Sequence, residues 1–513
     1  MPMANVTEQQ WLEQARALVL RGDFMRAEAM LNSALGEFPR SFELRRVLAG
    51  VYRSTRRDGQ AEALLSELLS ERPQDAGSAF TLAQLLIEHA RTQAAGHVLC
   101  RCFENARPDA DLAIRAIEML DEADRKADAA LIAATATAAT PEDPRLHAYA
   151  GMLLLQLGEF QRARDHFLFA MTRSPQACEW NVPHGLASAQ RYADPEHPDF
   201  ALFRECLQHA KLSDKARATL MFALGKAHDD VGDYGQAAAC FGEANALAHR
   251  LTRWSRKDWR RAIEARLASA PIIHHAEPPA GFVPVFIVGM PRSGTTLLSE
   301  LLSRYPGVCN RGELPWIAKL AQQPDLSGSP SVGALERAAG FYARQARRDD
   351  SPDACWFLDK QPLNFRYVDL ILALFPNARI IHCVRNPRDT ALSLWMQSFS
   401  EDVQGYAYDF DDIAVVMRDC RRLMAHWCAR HTQAIRAVHY EQLVSRPDTV
   451  VTELVEWLGV PGSAAASGEK SSSISTASLW QARQPVYAHS LRRWRHYLAH
   501  VPELSKFADD EPA

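Results

Sequence analysis

Neither a strong excess of charge, nor a long apolar run, nor a paired cysteine motif marks this chain of 513 residues. The formal net charge is −4 at pH 7, so the basic excess of a dedicated nucleic-acid binder is absent. No uninterrupted apolar stretch approaches the ~18 residues of a membrane span. The first residues, MPMANVTEQQ, lack the basic and then apolar order of a secretory signal. The ten cysteines are scattered, without a Cys-x-x-Cys pair, and only Cys100 and Cys102 stand close together. That spacing argues against a disulfide framework and against a zinc site; it suits reduced thiols in the cytoplasm. What is present is ordinary globular composition, 47% apolar and 23% charged, at a length that calls for two or three domains.

The N-terminal half is periodic. Ala27, Ala61, Ala95, Ala129 and Ala163 recur at a 34-residue step, and Pro39, Pro73, Pro108, Pro141 and Pro175 nearly keep it. Turns at Gly22–Phe24, Gly158–Phe160 and Gly232–Tyr234 precede three of the helices expected there. A small residue lets paired helices approach, glycine permits the turn and proline stops the second helix. The pattern resembles the tetratricopeptide repeat. It implies an α-helical solenoid over residues 9–250, with an irregular sixth unit at 178–214 and a seventh around Ala237. Such a solenoid offers a concave surface for a protein or peptide partner. Residues 251–281 read as a linker, a basic amphipathic helix followed by a loop. Its His274–His275 pair has no acidic or cysteine partner at ligand spacing.

From residue 282 strands and helices alternate, as in an α/β domain with a mainly parallel sheet. Strands are expected at 283–288, 356–358, 379–384 and 434–439. The run GMPRSGTT, Gly289–Thr296, joins the first strand to a helix. A strand, a tight loop and a helix start aim backbone N–H groups and a helix dipole at one point, which suits a multi-oxygen anion. The spacing is nearly that of a Walker loop, but Thr295 stands where the nucleotide-binding lysine belongs. The loop resembles the 5′-phosphosulfate-binding loop of sulfotransferases, in the form carried by tyrosylprotein sulfotransferases and their bacterial relatives. The resemblance implies 3′-phosphoadenosine 5′-phosphosulfate (PAPS) as donor, cradled by Arg292, Ser293, Gly294, Thr295 and Thr296.

A second motif, RIIHCVRNPRDTALSLWMQ, ends a strand at Arg385 and opens a helix at Pro387. Ser393 lies eight residues beyond Arg385. In the resembled family an Arg and a Ser at this spacing hold the donor's 3′-phosphate, and a guanidinium fork suits that group. Arg388 reads either as a further contact or as a solvated side chain.

The resemblance also implies the reacting centre. Glu313, 21 residues beyond Arg292, matches the family's catalytic base, a group that takes the acceptor's proton. Lys360, in Asp-Lys-Gln-Pro where the family has an Asn-Lys-Asp-Pro-like run, would with Arg292 stabilise charge on the leaving phosphate. No metal is required for that. Ser478, seven residues before Pro485, matches a serine near the sulfonate. Arg493 stands where the family has lysine. Tyr440 reads equally as a cofactor contact or a packed strand-end tyrosine. Tyr406 and Tyr408 lie in an acidic run, SEDVQGYAYDFDDI; it reads as a substrate-side loop ending in an Asp helix cap rather than as a target of self-sulfation.

The expectation is therefore a cytoplasmic, bacterial-type enzyme joining a repeat solenoid (9–250) to a PAPS-dependent sulfotransferase domain (282–500). Its partners are a protein or peptide on the repeats and an acceptor hydroxyl, with no nucleic acid and no membrane span; a homodimer is left open. The alternatives are a P-loop kinase and a repeat scaffold with a degenerate transferase domain.

Overall fold

The structure is a computed structural model that describes residues 6–104, 109–208, 211–399, 402–462 and 491–507. Helices come in pairs through the repeat half: α1 Glu8–Leu20 and α2 Phe24–Glu37, α3 Phe42–Ser54 and α4 Asp58–Glu71, α5 Ala76–Glu88 and α6 Thr92–Phe103, α7 Ala110–Glu122 and α8 Lys126–Ala139, α9 Pro144–Leu157 and α10 Phe160–Arg173. The next pair is irregular, as expected. A 3-10 turn, Pro175–Trp180, leads into a short α11 (Val182–Ser188), followed by α12 (Pro198–Leu207). The long pair α13 (Asp214–Asp230) and α14 (Tyr234–Leu251) closes the series.

The repeat signals have direct structural counterparts. Ala27, Ala61, Ala95, Ala129, Ala163 and Ala237 are each 0% exposed, because a larger side chain there would push paired helices apart. Helices α2, α4, α8 and α10 each stop two residues before Pro39, Pro73, Pro141 and Pro175. The turn between paired helices is left-handed in every regular unit. Gly22 and Gly158 supply it at φ 76° and 82°, but Arg56, Ala90 and Asp124 adopt the same turn at φ 60°. Glycine had marked only some of these turns in the sequence; the others carry a side chain at a backbone cost of roughly 1 kcal/mol each.

The described residues fall into two compact units: Met1–Leu146 with Arg348–Asp350, and His147–Arg347 with Ser351–Ala513. The division lies within α9, well before the end of the repeats. Its cause is a shared core in the second unit. Phe167, Phe203, Phe222 and Phe241 of the later repeats belong to one apolar cluster with Phe286, Phe365, Trp395 and Trp427 of the following domain. Helix α15 (Arg256–Ala268), in the stretch expected as a linker, buries Trp259 and Ile263 in that cluster. Trp259 donates its ring N–H to Asp419 at 3.1 Å.

The sheet domain has five parallel strands, β1 Val283–Gly289, β2 Val308–Asn310, β3 Trp356–Asp359, β4 Arg379–Val384 and β5 Ile435–His439, in the order β2-β3-β1-β4-β5. Four were expected. β2 escapes pattern reading because it is three half-buried residues, too short to alternate. Helices α16 (Thr295–Leu302) and α23 (Pro447–Leu458) share one apolar cluster with one set of strand residues, Val285, Ile287, Leu358 and Ile381. Helices α18 (Val332–Arg347), α19 (Val368–Leu374) and α21 (Phe410–Arg430) join Phe286, Val288, Phe357 and Ile380 in the other. Between α16 and α18 lies the short α17 (Trp316–Leu320). Helix α20 (Pro387–Trp395) follows β4, and α22 (Tyr440–Ser445) follows β5. Helices on both faces explain why β1 is apolar without alternation.

The acidic run is a helix cap. Asp409 accepts the N–H groups of Asp411 and Asp412 at 2.9 and 3.0 Å at the start of α21. Tyr406 is fully buried, and Tyr408 donates to the Phe399 carbonyl at 2.8 Å. Neither is presented as a target. Among the described residues no helix is long and apolar enough to cross a membrane.

The non-glycine turns give a direct test. Ala90→Gly should stabilise the first unit by about 1 kcal/mol, read as a higher urea midpoint at unchanged m-value. An unchanged or lower midpoint would show that the left-handed turn costs Ala90 nothing.

Candidate functional site

Parallel strands point one way, so all five C-terminal ends lie along a single edge of the sheet, where ligands of open α/β folds bind. The segments singled out in the sequence sit directly beyond those ends. β1 runs into Gly289–Thr296, β2 into Arg311–Glu313, β3 into Lys360, β4 into Arg385 and β5 into Tyr440.

The β1 loop is tightly held. Gly289 has φ 141°, and a Cβ there would stand 2.4 Å from the Cys383 carbonyl oxygen on β4. Gly294 has φ 93°, and a Cβ there would stand 2.3 Å from the Tyr440 ring. Only glycine permits these approaches. Arg292 adopts φ 72° without that licence, a strained backbone of the kind that gathers at ligand sites. Ser293 is buried and donates its hydroxyl to the Met290 carbonyl at 2.7 Å, which closes the turn. Helix α16 then starts at Thr295 behind Gly294, which offers no side-chain cap, and a helix start of this kind favours an anion.

Around this loop several of the residues singled out in the sequence contact one another. The Arg292 Nε donates to Ser393 Oγ at 2.9 Å. Arg385 donates to the Arg292 carbonyl at 2.8 Å, and its guanidinium lies 4.6 Å from the Tyr440 ring centre. Tyr440 packs in turn on Gly294. Arg292, Gly294, Arg385, Ser393 and Tyr440 therefore meet in one place, although they come from four segments.

Glu313 and Lys360 form a second pair at 2.5 Å. Lys360 is 3% exposed, whereas the Glu313 side chain is 33% exposed, so the carboxylate is the member that solvent or an acceptor can reach. The Lys360 N–H donates to the Gly312 carbonyl at 2.7 Å and fixes one segment on the other. Beneath them lies Asp359, a residue the motif reading passed over as a flank. Asp359 is 1% exposed. It accepts from the Tyr342 hydroxyl at 2.8 Å, Gln361 N–H at 3.0 Å, Asn364 Nδ2 at 3.3 Å and Leu314 N–H at 3.4 Å. It thereby holds both flanks of the Glu313–Lys360 pair. Burial pushes its pKa up to about 7, against the pull of these donors. The one signal for it in the sequence was an acid at the end of an apolar strand.

Three further arginines are engaged elsewhere. Arg493 donates to Asp229 on α13, so the structure does not bring it to the loop. Arg388 donates to the Phe507 carbonyl at 2.9 Å and stacks on Trp494 at 4.4 Å, which gives it a partner rather than solvent. Arg311 is buried and donates to the Ala346 and Arg347 carbonyls at the end of α18. Ser478 lies outside the described residues. His382, on β4, is pushed down to about 4 by burial and by His439, and stays neutral at pH 7.

Comparison with known proteins agrees with this geometry. Residues 284–464 match the model of the Sulfotransferase family, and residues 18–86 match that of the tetratricopeptide repeat. The sulfotransferase match runs from β1 to beyond β5 and so spans the strands and loops of the site. The chain's relatives include an uncharacterized protein of Aquifex aeolicus, 30% identical over 55% of this chain and 40% of that protein. They also include protein-tyrosine sulfotransferase 1 of Danio rerio, 26% identical over 44% of this chain and 68% of that protein. The chain thus spans less than half of the Aquifex protein. Among solved structures, the sulfotransferase domain of the Synechococcus PCC 7002 olefin synthase aligns at 22% identity over 48% of this chain and 99% of that one. Its TM-score of 0.34 is too low to carry an argument.

The buried acid of the sheet domain makes stability depend on pH. A carboxyl raised from 3.8 to about 7 on folding binds more protons in the native than in the unfolded state across that interval, so stability falls as pH rises through it. Asp359→Asn should flatten that slope in denaturant titrations between pH 4 and pH 7. A slope identical to wild type would show that Asp359 ionises at its ordinary value.

Proposed function

We propose that the chain transfers a sulfuryl group from PAPS to an acceptor hydroxyl. The observation that carries this reading is the contact set Arg292–Ser393, Arg385–Arg292 and Arg385–Tyr440 beside the β1 loop. It pairs one anion cradle with a second cluster of guanidinium and hydroxyl donors, as a donor with phosphate at both ends requires. The residues fit the donor. Gly294 lets the Tyr440 ring close on the loop where a Cβ would push it away, and Thr295 replaces the lysine that a nucleoside triphosphate needs.

In this reading the α16 N–H groups with Ser293, Gly294, Thr295 and Thr296 hold the 5′ end. Arg385, Ser393 and Tyr440 hold the 3′ end. The bound donor supplies the sulfuryl group, whose bond to the 5′-phosphate oxygen breaks as the bond to the acceptor oxygen forms. Glu313 takes the acceptor's proton. Lys360 turns from Glu313 toward the negative charge on the leaving phosphate, and Arg292 acts on the same charge from the loop. Drawing Lys360 away frees the carboxylate as a base, so proton removal is tied to donor binding.

Peptidyl tyrosine is the acceptor we favour, because several relatives are named protein-tyrosine sulfotransferases. The repeats (9–250) recruit the protein or peptide, ahead of a linker (251–281) and the transferase domain (282–500). In the first unit a groove of about 750 Å³ lined by Arg16, Leu20, Val47, Arg53 and Arg56 offers room for one. Ten free thiols suit a reducing cytoplasm.

Labelled PAPS incubated with the full chain and candidate tyrosine peptides should label the peptide without added metal. Label transfer from ATP with magnesium instead would make it a kinase. Glu313→Gln should lower transfer by about 10²–10⁴-fold while leaving donor affinity within about twofold; a large loss of donor binding would make Glu313 structural. Arg385→Ala should chiefly raise the donor's KM, and an unchanged KM would remove Arg385 from the donor site.

A further inference from the structure

Helix α20 carries Ser393 and is held at both ends from outside the sheet. Near its start, Asp389 accepts the N–H groups of Arg492 and Trp494 at 2.7 and 3.1 Å. The residue between them, Arg493, is anchored on Asp229 of α13, and Tyr497 donates to the same carboxylate at 2.7 Å. At the other end, Asn245 of α14 donates from Nδ2 to the Trp395 carbonyl at 2.7 Å. The last carbonyls of a helix have no partner within it, so Asn245 acts as a cap reaching from a repeat to another domain's helix. The same Nδ2 bonds the Phe241 carbonyl at 2.7 Å, and the Phe241 ring meets Trp395 edge-on at 5.9 Å.

Asn245 is 2% exposed, and its Oδ1 finds no partner among the described residues. Burying an unmatched amide oxygen carries the full desolvation cost of that group. An apolar residue would avoid that cost, so what the position exploits is the amide's donor half, directed at α20. Ser393 lies between the two fastenings, two residues before Trp395, and is the partner of Arg292.

We propose that the last repeat pair, α13 and α14, positions α20, making the repeat module a working part of the subsite for a 3′-phosphate. Asn245 and Asp229 are its positioning residues. The inference rests on the donor reading given above and goes beyond it, because it places in the repeats a determinant of donor selectivity.

The test uses the full chain and two probes, adenosine 3′,5′-bisphosphate and AMP, with affinities measured by calorimetry. Wild type should prefer the bisphosphate, and Ser393→Ala should erode that preference. Asn245→Leu should weaken the bisphosphate by about tenfold and leave AMP unchanged, since AMP needs only the β1 loop. A merely structural role would weaken both probes alike or neither, and either result overturns the proposal. Should Asn245→Leu be insoluble, Asp229→Asn decides, with the same loss of selectivity expected in smaller degree and unchanged selectivity overturning it. A wild type that does not distinguish the two probes defeats the donor reading itself. A preference lost in Ser393→Ala but kept in Asn245→Leu defeats only the positioning role.

Discussion

Everything at the site follows from the shared direction of five strands. A parallel sheet brings every strand's C-terminal end to one edge, so residues as distant in sequence as Arg292 and Tyr440 become neighbours without a dedicated scaffold. Register refines the edge. Gly289 lies opposite Cys383, and Val384 opposite His439, so these three strands end nearly level. β3 ends at Asp359, opposite Phe286, three residues short of Gly289, or about 10 Å lower at the usual rise. The edge therefore steps down where Lys360 and Glu313 begin, beside the loop.

The step separates two kinds of charge. On the level part Arg292 and Arg385 converge on a hydroxyl, a carbonyl and an aromatic face, and the charge of Arg385 reaches the Asp389 carboxyl behind them. On the lower part the lysine is neutralised by Glu313 and almost excluded from water. A buried cation with one partner is costly to strip, which makes Lys360 responsive to an anion that can replace Glu313.

Legibility followed range. The β1 loop and the Arg385–Ser393 pair are local, one strand end with the helix start beside it, and their spacing was readable. The repeats were readable for the same reason, because each alanine answers to its own helix pair. What escaped reading depends on distant partners. Asp359 matters through Tyr342 and Leu314, and nothing within its own run announces them. Asn245 sits in an alanine-rich helix and bonds a carbonyl 150 residues away. Arg493 shows the converse. Its charge suited a phosphate, but Asp229, 264 residues earlier, had already taken it. The left-handed turns at Arg56, Ala90 and Asp124 escaped because glycine was the signal sought, while the helix pairing imposed the turn without it.

The shared core bears on how such a chain could have been assembled. Two domains joined by a linker tolerate exchange of either partner, since few contacts cross. Here α13 and α14 bury Phe222 and Phe241 in the cluster that includes Phe365 and Trp427, Asn245 bonds the last turn of α20, and Asp229 holds Arg493 and Tyr497. Cutting at residue 251 would expose that apolar face and leave the Trp395 carbonyl without its cap. The repeat pattern ends at α14, but the physical boundary lies within α9, where the compact unit containing the sheet begins. The later repeats are thus continuous in sequence with the solenoid and in packing with the sheet domain.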